Sequence, residues 1–123
     1  MNDTNITKIK LTSLQEEILI EYSKNKEYKV ICKNLHLIPI TLSKGLQTLK
    51  SKGLIDNEVI TQTGKELINY YNFRNETIKL FVEKTKIVNL NLMKELQQLD
   101  FKLIIAIRNL LNHWSFFLAN SYY

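Results

Sequence analysis

Between Ile31 and Ser43 the order of side chains leaves the backbone little choice. The run Ile31-Cys32-Lys33-Asn34-Leu35-His36-Leu37-Ile38-Pro39-Ile40-Thr41-Leu42-Ser43 predicts a short helix, a tight turn and a second helix. Apolar anchors at Ile31, Leu35, Leu37 and Leu42 fasten the first helix to the start of the second, with polar and basic groups left outward. Pro39 disfavours helix at the residue before it and suits a turn into a helix, so the second helix is expected over about 41–52. At roughly 100° per residue, Leu42, Leu46 and Leu49 share a narrow stripe, and Gly53 supplies a left-handed stop. Ile40, Lys44, Gln47, Thr48 and Ser51 then point away from the core. Gly45 lies on the flank of the stripe, where a missing side chain lets the preceding helix cross closely.

Elements on either side complete a small unit. A first helix is expected to open at Ser13, whose hydroxyl caps the first turn while Glu16 reaches back. Leu14, Ile18 and Tyr22, with Leu19 beside them, line its core face. Residues 24–27 read as the connection, and Tyr28 to Leu35 as the second helix. Leu54-Ile55 and Val59-Ile60 are β-prone runs around Asp56-Asn57-Glu58, a tight hairpin. Thr61 can cap the helix that follows through Gly64-Lys65-Glu66-Leu67.

Glycine and proline are absent after Gly64, so the second half is expected to be almost wholly helical. Leu96, Leu99, Leu103, Ile107, Leu110, Trp114 and Phe117 recur at three and four residues, and Ile104, Leu111 and Leu118 widen that face. Phe101, Ile105 and Phe116 fall on the other sides. A helix apolar nearly all round must be buried, and a 123-residue monomer offers little to cover it. Pairing with a second copy through Leu103, Ile107, Leu110, Leu111, Trp114 and Phe117 is the expected solution; the alternative is a monomer whose last helices complete its own core. Ile78, Phe81, Val82, Val88 and Leu92 form a further stripe, packed within a subunit or across a two-fold.

Composition narrows the function classes. The length suffices for one compact domain, or a small domain with an appendage, without disulfides or metals. Cys32 stands alone, which excludes an intramolecular disulfide and points to a small hydrophobe in a reducing setting. Residues 1–6 lack the apolar run of a signal peptide, so a cytoplasmic protein is expected. The apolar stretch from Leu103 to Leu118 is interrupted by Arg108, Asn109, Asn112 and His113 and is shorter than the ~20 residues of a membrane span, so no membrane partner is expected. His36 and His113 fall in different elements, no metal-ligand spacing occurs, and no glycine-rich phosphate loop is present. No enzyme, metal or cofactor is therefore expected. The net charge of +5 is local: Lys24, Lys26, Lys29, Lys33, Lys44, Lys50 and Lys52 face one acid, Glu27, while residues 56–123 are nearly balanced. Such a field favours a polyanion.

Three patterns now stand in order. Ile31-Cys32, Leu35, Leu37 and Thr41-Leu42-Ser43-Lys44 come first; Leu46, Leu49 and Gly53-Leu54-Ile55 follow; Ile60-Thr61, Gly64 and Leu67 close the set. Together they make residues 11–67 resemble the winged helix-turn-helix domain of MarR-like and related microbial transcription regulators. The departures are His36 in a turn slot where glycine is common, Cys32 where alanine is usual, and Asp56 and Glu58 in place of an arginine-bearing longer wing. Residues 1–10 are too few for the leading helix through which MarR-like proteins pair, so residues 68–123 would supply dimerisation.

The resemblance implies a mainly α protein, with three helices and a short β-hairpin followed by long C-terminal helices. It implies double-stranded DNA as partner, met by a recognition helix. On that helix Lys44 suits guanine O6 and N7, Gln47 can bond adenine bidentately and Thr48 can meet a thymine methyl. Lys29, Lys33, Thr41, Ser43 and Lys50 are placed for phosphates that fix register. The leading expectation is a homodimeric, sequence-specific regulator that represses by occluding a promoter. Two alternatives are weaker. One is a winged-helix protein-interaction or replication-assembly module of a plasmid or phage, with the acidic wing and aromatic tail meeting a protein partner. In the other, Trp114, Phe116, Phe117, Tyr122 and Tyr123 line a small-molecule pocket or touch a membrane surface, although aromatics at helical spacing are more often core.

Overall fold

The computed structural model describes Ile6 and residues 8–114; Phe116, Phe117, Leu118, Tyr122 and Tyr123 lie outside the described residues. The described chain is mainly helical with one small antiparallel sheet. Its elements are α1 (Ser13–Lys24), α2 (Tyr28–Leu35), α3 (Pro39–Ser51), β1 (Ile55–Asp56), β2 (Val59–Ile60), α4 (Gln62–Thr85), α5 (Leu90–Gln97) and α6 (Phe101–Asn112). After Asn69, within α4, the chain divides into two compact units.

In the first unit, α1 is capped one residue earlier than the sequence predicts. Thr12 Oγ1 accepts from the Gln15 amide at 3.2 Å, and Gln15 Oε1 accepts from the Thr12 amide at 3.0 Å. Thr12 and Ser13 can both cap. In the Thr12 frame Gln15 takes the third helical position and completes the capping box, and Glu16 stays in the first turn beside the positive end of the helix. Ile18, Leu19 and Tyr22 of α1, Ile31 of α2 and Leu42, Leu46 and Leu49 of α3 are all buried, and the three helices pack against one another. Fully burying a leucine or isoleucine contributes about 1.5–3 kcal/mol, so this cluster is what fixes the three helices.

α2 ends at His36, whose backbone is left-handed with φ 56° and ψ 49°, in the slot where glycine would fit without strain. The chain then turns into α3 at Pro39 instead of Thr41. Pro39 is itself the first helical residue: its fixed φ suits that position and its missing N–H would have had no partner there. The carbonyl of Ile38 accepts from Thr41 and Leu42 at 3.1 and 3.3 Å. Gly45 allows a close approach, but by α1 and not by the preceding helix; a Cβ there would stand 2.5 Å from Ile18 Cδ1.

The hairpin pairs Ile55 with Ile60 and Asp56 with Val59. Its two-residue loop, Asn57 and Glu58, has φ of 48° and 65°, the pattern of a type I′ turn. Asn57 tolerates this, whereas Glu58 is strained. Glu58→Gly is therefore expected to stabilise the protein by about 0.5–1 kcal/mol in a urea titration, since it removes a Cβ from a left-handed position. Leu54 stays outside the strands and is buried, its carbonyl accepting from the Thr61 amide at 3.0 Å. Thr61 caps α4 as the sequence predicts: its hydroxyl accepts from the Gly64 amide at 3.1 Å and donates to the Gly53 carbonyl at 2.7 Å.

The second unit does not carry one long C-terminal helix. α4 stops at Thr85, followed by Lys86 at φ 63°, and a further break at 98–100 separates α5 from α6. Two short polar side chains set the restarts. Asn89 accepts from the Leu92 amide and Asp100 from the Leu103 amide, each at 3.0 Å. The stripe from Ile78 to Leu92 is accordingly interrupted, with Val88 73% exposed between helices. Leu96, Ile104 and Leu111 are buried with Tyr70 and Tyr71.

A polar seam runs through this unit. Arg108 Nε donates to Thr77 Oγ1 at 2.9 Å and its guanidinium lies 4.5 Å from the Phe73 ring centroid. Arg74, 4% exposed, donates to the Gln97 carbonyl at 3.3 Å and stacks 5.0 Å from Tyr71. The Tyr70 hydroxyl donates to the Leu99 carbonyl at 2.9 Å. Buried groups of this kind stay only when bonded, and these bonds tie the turn at 97–99 to α4.

Candidate nucleic-acid interface

α3 presents two opposed faces. Leu42, Leu46 and Leu49 anchor the inner one, and Ile40, Lys44, Gln47 and Ser51 fall on the outer one, with Ser43 and Lys50 on its flanks; all six are exposed. From Tyr28 to Ile55 the chain contains no acidic residue, while Lys29, Lys33, Lys44, Lys50 and Lys52 all lie within it. Lys29 and Lys33 are exposed one helical turn apart on α2. Lys52 is drawn to one side, its Nζ donating to the Lys10 carbonyl at 3.2 Å. The structure thus puts the expected base-reading pair, Lys44 and Gln47, on an accessible face of positive sign.

Thr48 is placed differently. It is half-buried and its hydroxyl donates to the Lys44 carbonyl at 3.1 Å, a common habit of threonine within helices. The Ser51 hydroxyl is likewise turned into the helix, donating to the Thr48 carbonyl at 2.8 Å. Thr41 is half-buried and Ser43 exposed. Cys32 is half-buried and, as the single cysteine, has no disulfide partner within the chain.

The hairpin is pinned by a residue whose role the sequence did not reveal. The Tyr22 hydroxyl donates to the Glu58 carbonyl at 2.9 Å, thirty-six residues away. Burial, then the charge of Glu58, then Tyr28, raise the pKa of the Tyr22 hydroxyl above its usual value, which keeps it a donor to higher pH than an exposed tyrosine. Lys26 Nζ lies 5.9 Å from the same ring. Asp56 and Glu58 are exposed at the hairpin. A groove of about 300 Å³ opens between Ser23, Lys26, Ile60 and Lys65, and none of its lining residues belongs to α3.

In the second unit, the residues expected to pair subunits divide. Leu103 and Leu110, seven residues apart on α6, are 49% and 47% exposed, Ile107 and Trp114 are half-buried, and Leu111 is 2% exposed because it packs inside its own unit. Phe117 lies outside the described residues.

Among the described residues, no group of three or more histidines, cysteines, aspartates or glutamates could hold a metal ion, and no helix is long and apolar enough to cross a membrane. Compared with protein-family models, curated proteins and solved structures, the chain matches none.

Proposed function

We propose that this protein is a winged helix-turn-helix regulator, MarR-like in the broad sense, which binds duplex DNA sequence-specifically as a cytoplasmic homodimer and represses by covering a promoter. α3 is the recognition helix, with Lys44 and Gln47 reading bases; Thr48 offers its methyl rather than its hydroxyl. Lys29, Lys33 and Lys50, with Thr41 and Ser43, meet phosphates. The observation that carries this reading is the outer face of α3: a helix anchored by three buried leucines, with exposed base-reading side chains in a 28–55 segment free of acids. The half-exposed Leu103 and Leu110 support pairing through α6, which would set two recognition helices on a two-fold.

Salt dependence tests it. Each phosphate neutralised lowers log K by about 0.9 per tenfold rise in salt, so three lysines in each of two subunits give a slope of about −5. The measurement is fluorescence anisotropy of a labelled duplex between low and moderate salt. A flat or absent response would favour the second reading, a protein-interaction or replication-assembly module, for which the exposed acids Asp56 and Glu58 are the supporting observation.

A further inference from the structure

Ile40 does not match the face that carries it. It sits on the outer side of α3 in its first turn, one turn before Lys44 and two before Gln47, and it is 59% exposed; Ile38, at the N-cap, is 63% exposed, and Pro39 between them is exposed too. These side chains leave most of their surface in water, and a β-branched residue gains nothing for a helix over alanine. Single exposed apolar residues are ordinary. Three such residues clustered at the start of α3, with Ile40 on the face that carries Lys44 and Gln47, inside a segment holding lysines and no acid, call for a partner that is polyanionic and also carries apolar groups. The major groove of duplex DNA is such a surface, because the C5-methyl of thymine projects into it.

We propose that Ile40, flanked by Ile38, reads thymine by packing on its C5-methyl, so that part of the sequence preference comes from an apolar contact and not from hydrogen bonds. This rests on the DNA-binding reading above. The contact removes a methyl and an isoleucine from water together. It distinguishes thymine from cytosine, and it also distinguishes thymine from uracil, which pairs identically but lacks the methyl.

The test uses the full chain and a randomised duplex pool. The duplex it enriches is remade with deoxyuridine in place of thymidine, leaving phosphates and pairing unchanged. Wild type is expected to bind the uracil duplex about tenfold more weakly, from the lost methyls of two half-sites. Ile40→Ala, at an exposed position that leaves the circular dichroism spectrum unchanged, should bind the thymine duplex several-fold more weakly than wild type and show a clearly smaller thymine-to-uracil ratio, the remainder being the contribution of the Thr48 methyl. Lys44→Ala should weaken both and keep the wild-type ratio. Equal wild-type affinity for the two duplexes, or an unaltered ratio in Ile40→Ala, overturns thymine reading while DNA binding stands. If no duplex is enriched, the DNA-binding reading falls and this inference with it, and the apolar cluster belongs to a protein partner.

Discussion

A protein carrying Lys44→Ala and Gln47→Ala together is expected to lose at least about a thousandfold in affinity for its preferred duplex, because the dimer loses two base contacts in each half-site and each well-aligned contact is worth about 1–3 kcal/mol of discrimination. Both side chains are exposed, so neither truncation opens a cavity. Alanine is also the best helix former, and α3 should fold at least as well as before. Circular dichroism and thermal midpoint are therefore expected to match wild type while specific binding is lost. Affinity for random duplex should fall far less, since Lys29, Lys33 and Lys50 remain. The informative readout is the ratio of specific to random affinity by anisotropy. An unchanged ratio would remove α3 from base recognition, whatever the chain binds.

Much of the first unit was legible because its signals are local. Leucines at 42, 46 and 49 impose one helical stripe, and burial follows from it. Thr61 three residues before Gly64 imposes a cap, and the Gly64 amide donates to its hydroxyl. The bounds moved by one or two residues wherever neighbouring residues compete for one role, as Thr12 and Ser13 do for the cap of α1. Pro39 moved a boundary for a different reason: it fits the first helical position as well as the turn before it. The pinning of Glu58 by Tyr22 was not legible, since a tyrosine at core spacing looks the same whether or not its hydroxyl finds a carbonyl thirty-six residues away.

The second unit misled by its hydrophobicity. With leucines every three or four residues from Leu96 onward, periodicity alone continues one helix through 98–100, and only Asp100 marks a restart. The signal was present in Asn89 and Asp100, both strong N-cap residues ahead of apolar runs. Arg108 reads in sequence as an interruption of an apolar stretch. In the structure it joins α6 to α4 through Thr77, a role that depends on a helix thirty residues earlier and that spacing cannot supply.

Gly64→Ala is expected to destabilise the protein by about 2 kcal/mol. A Cβ at this position would stand 2.5 Å from the Leu54 carbonyl oxygen and 2.8 Å from Ile60 Cγ2. The first of these is backbone, so no rotamer change relieves it. Either the start of α4 lifts from the hairpin, straining the Thr61 bonds to Gly64 and Gly53, or Leu54 moves and weakens its bond from the Thr61 amide. Overpacking costs about 1–3 kcal/mol and a damaged cap about 0.5–2, against a gain of roughly 1 kcal/mol in helix propensity. Gly45→Ala supplies the contrast. Its new Cβ also falls 2.5 Å from a neighbour, but that neighbour is Ile18 Cδ1, the end of a flexible side chain. Its loss should be smaller, and Ile18→Val, which deletes that atom, should recover part of it. Urea titration of the single and paired variants measures both effects. If Gly64→Ala proved as mild as Gly45→Ala, the close seating of α4 against the hairpin would be wrong, and with it the placement of the hairpin beside the helices of the first unit.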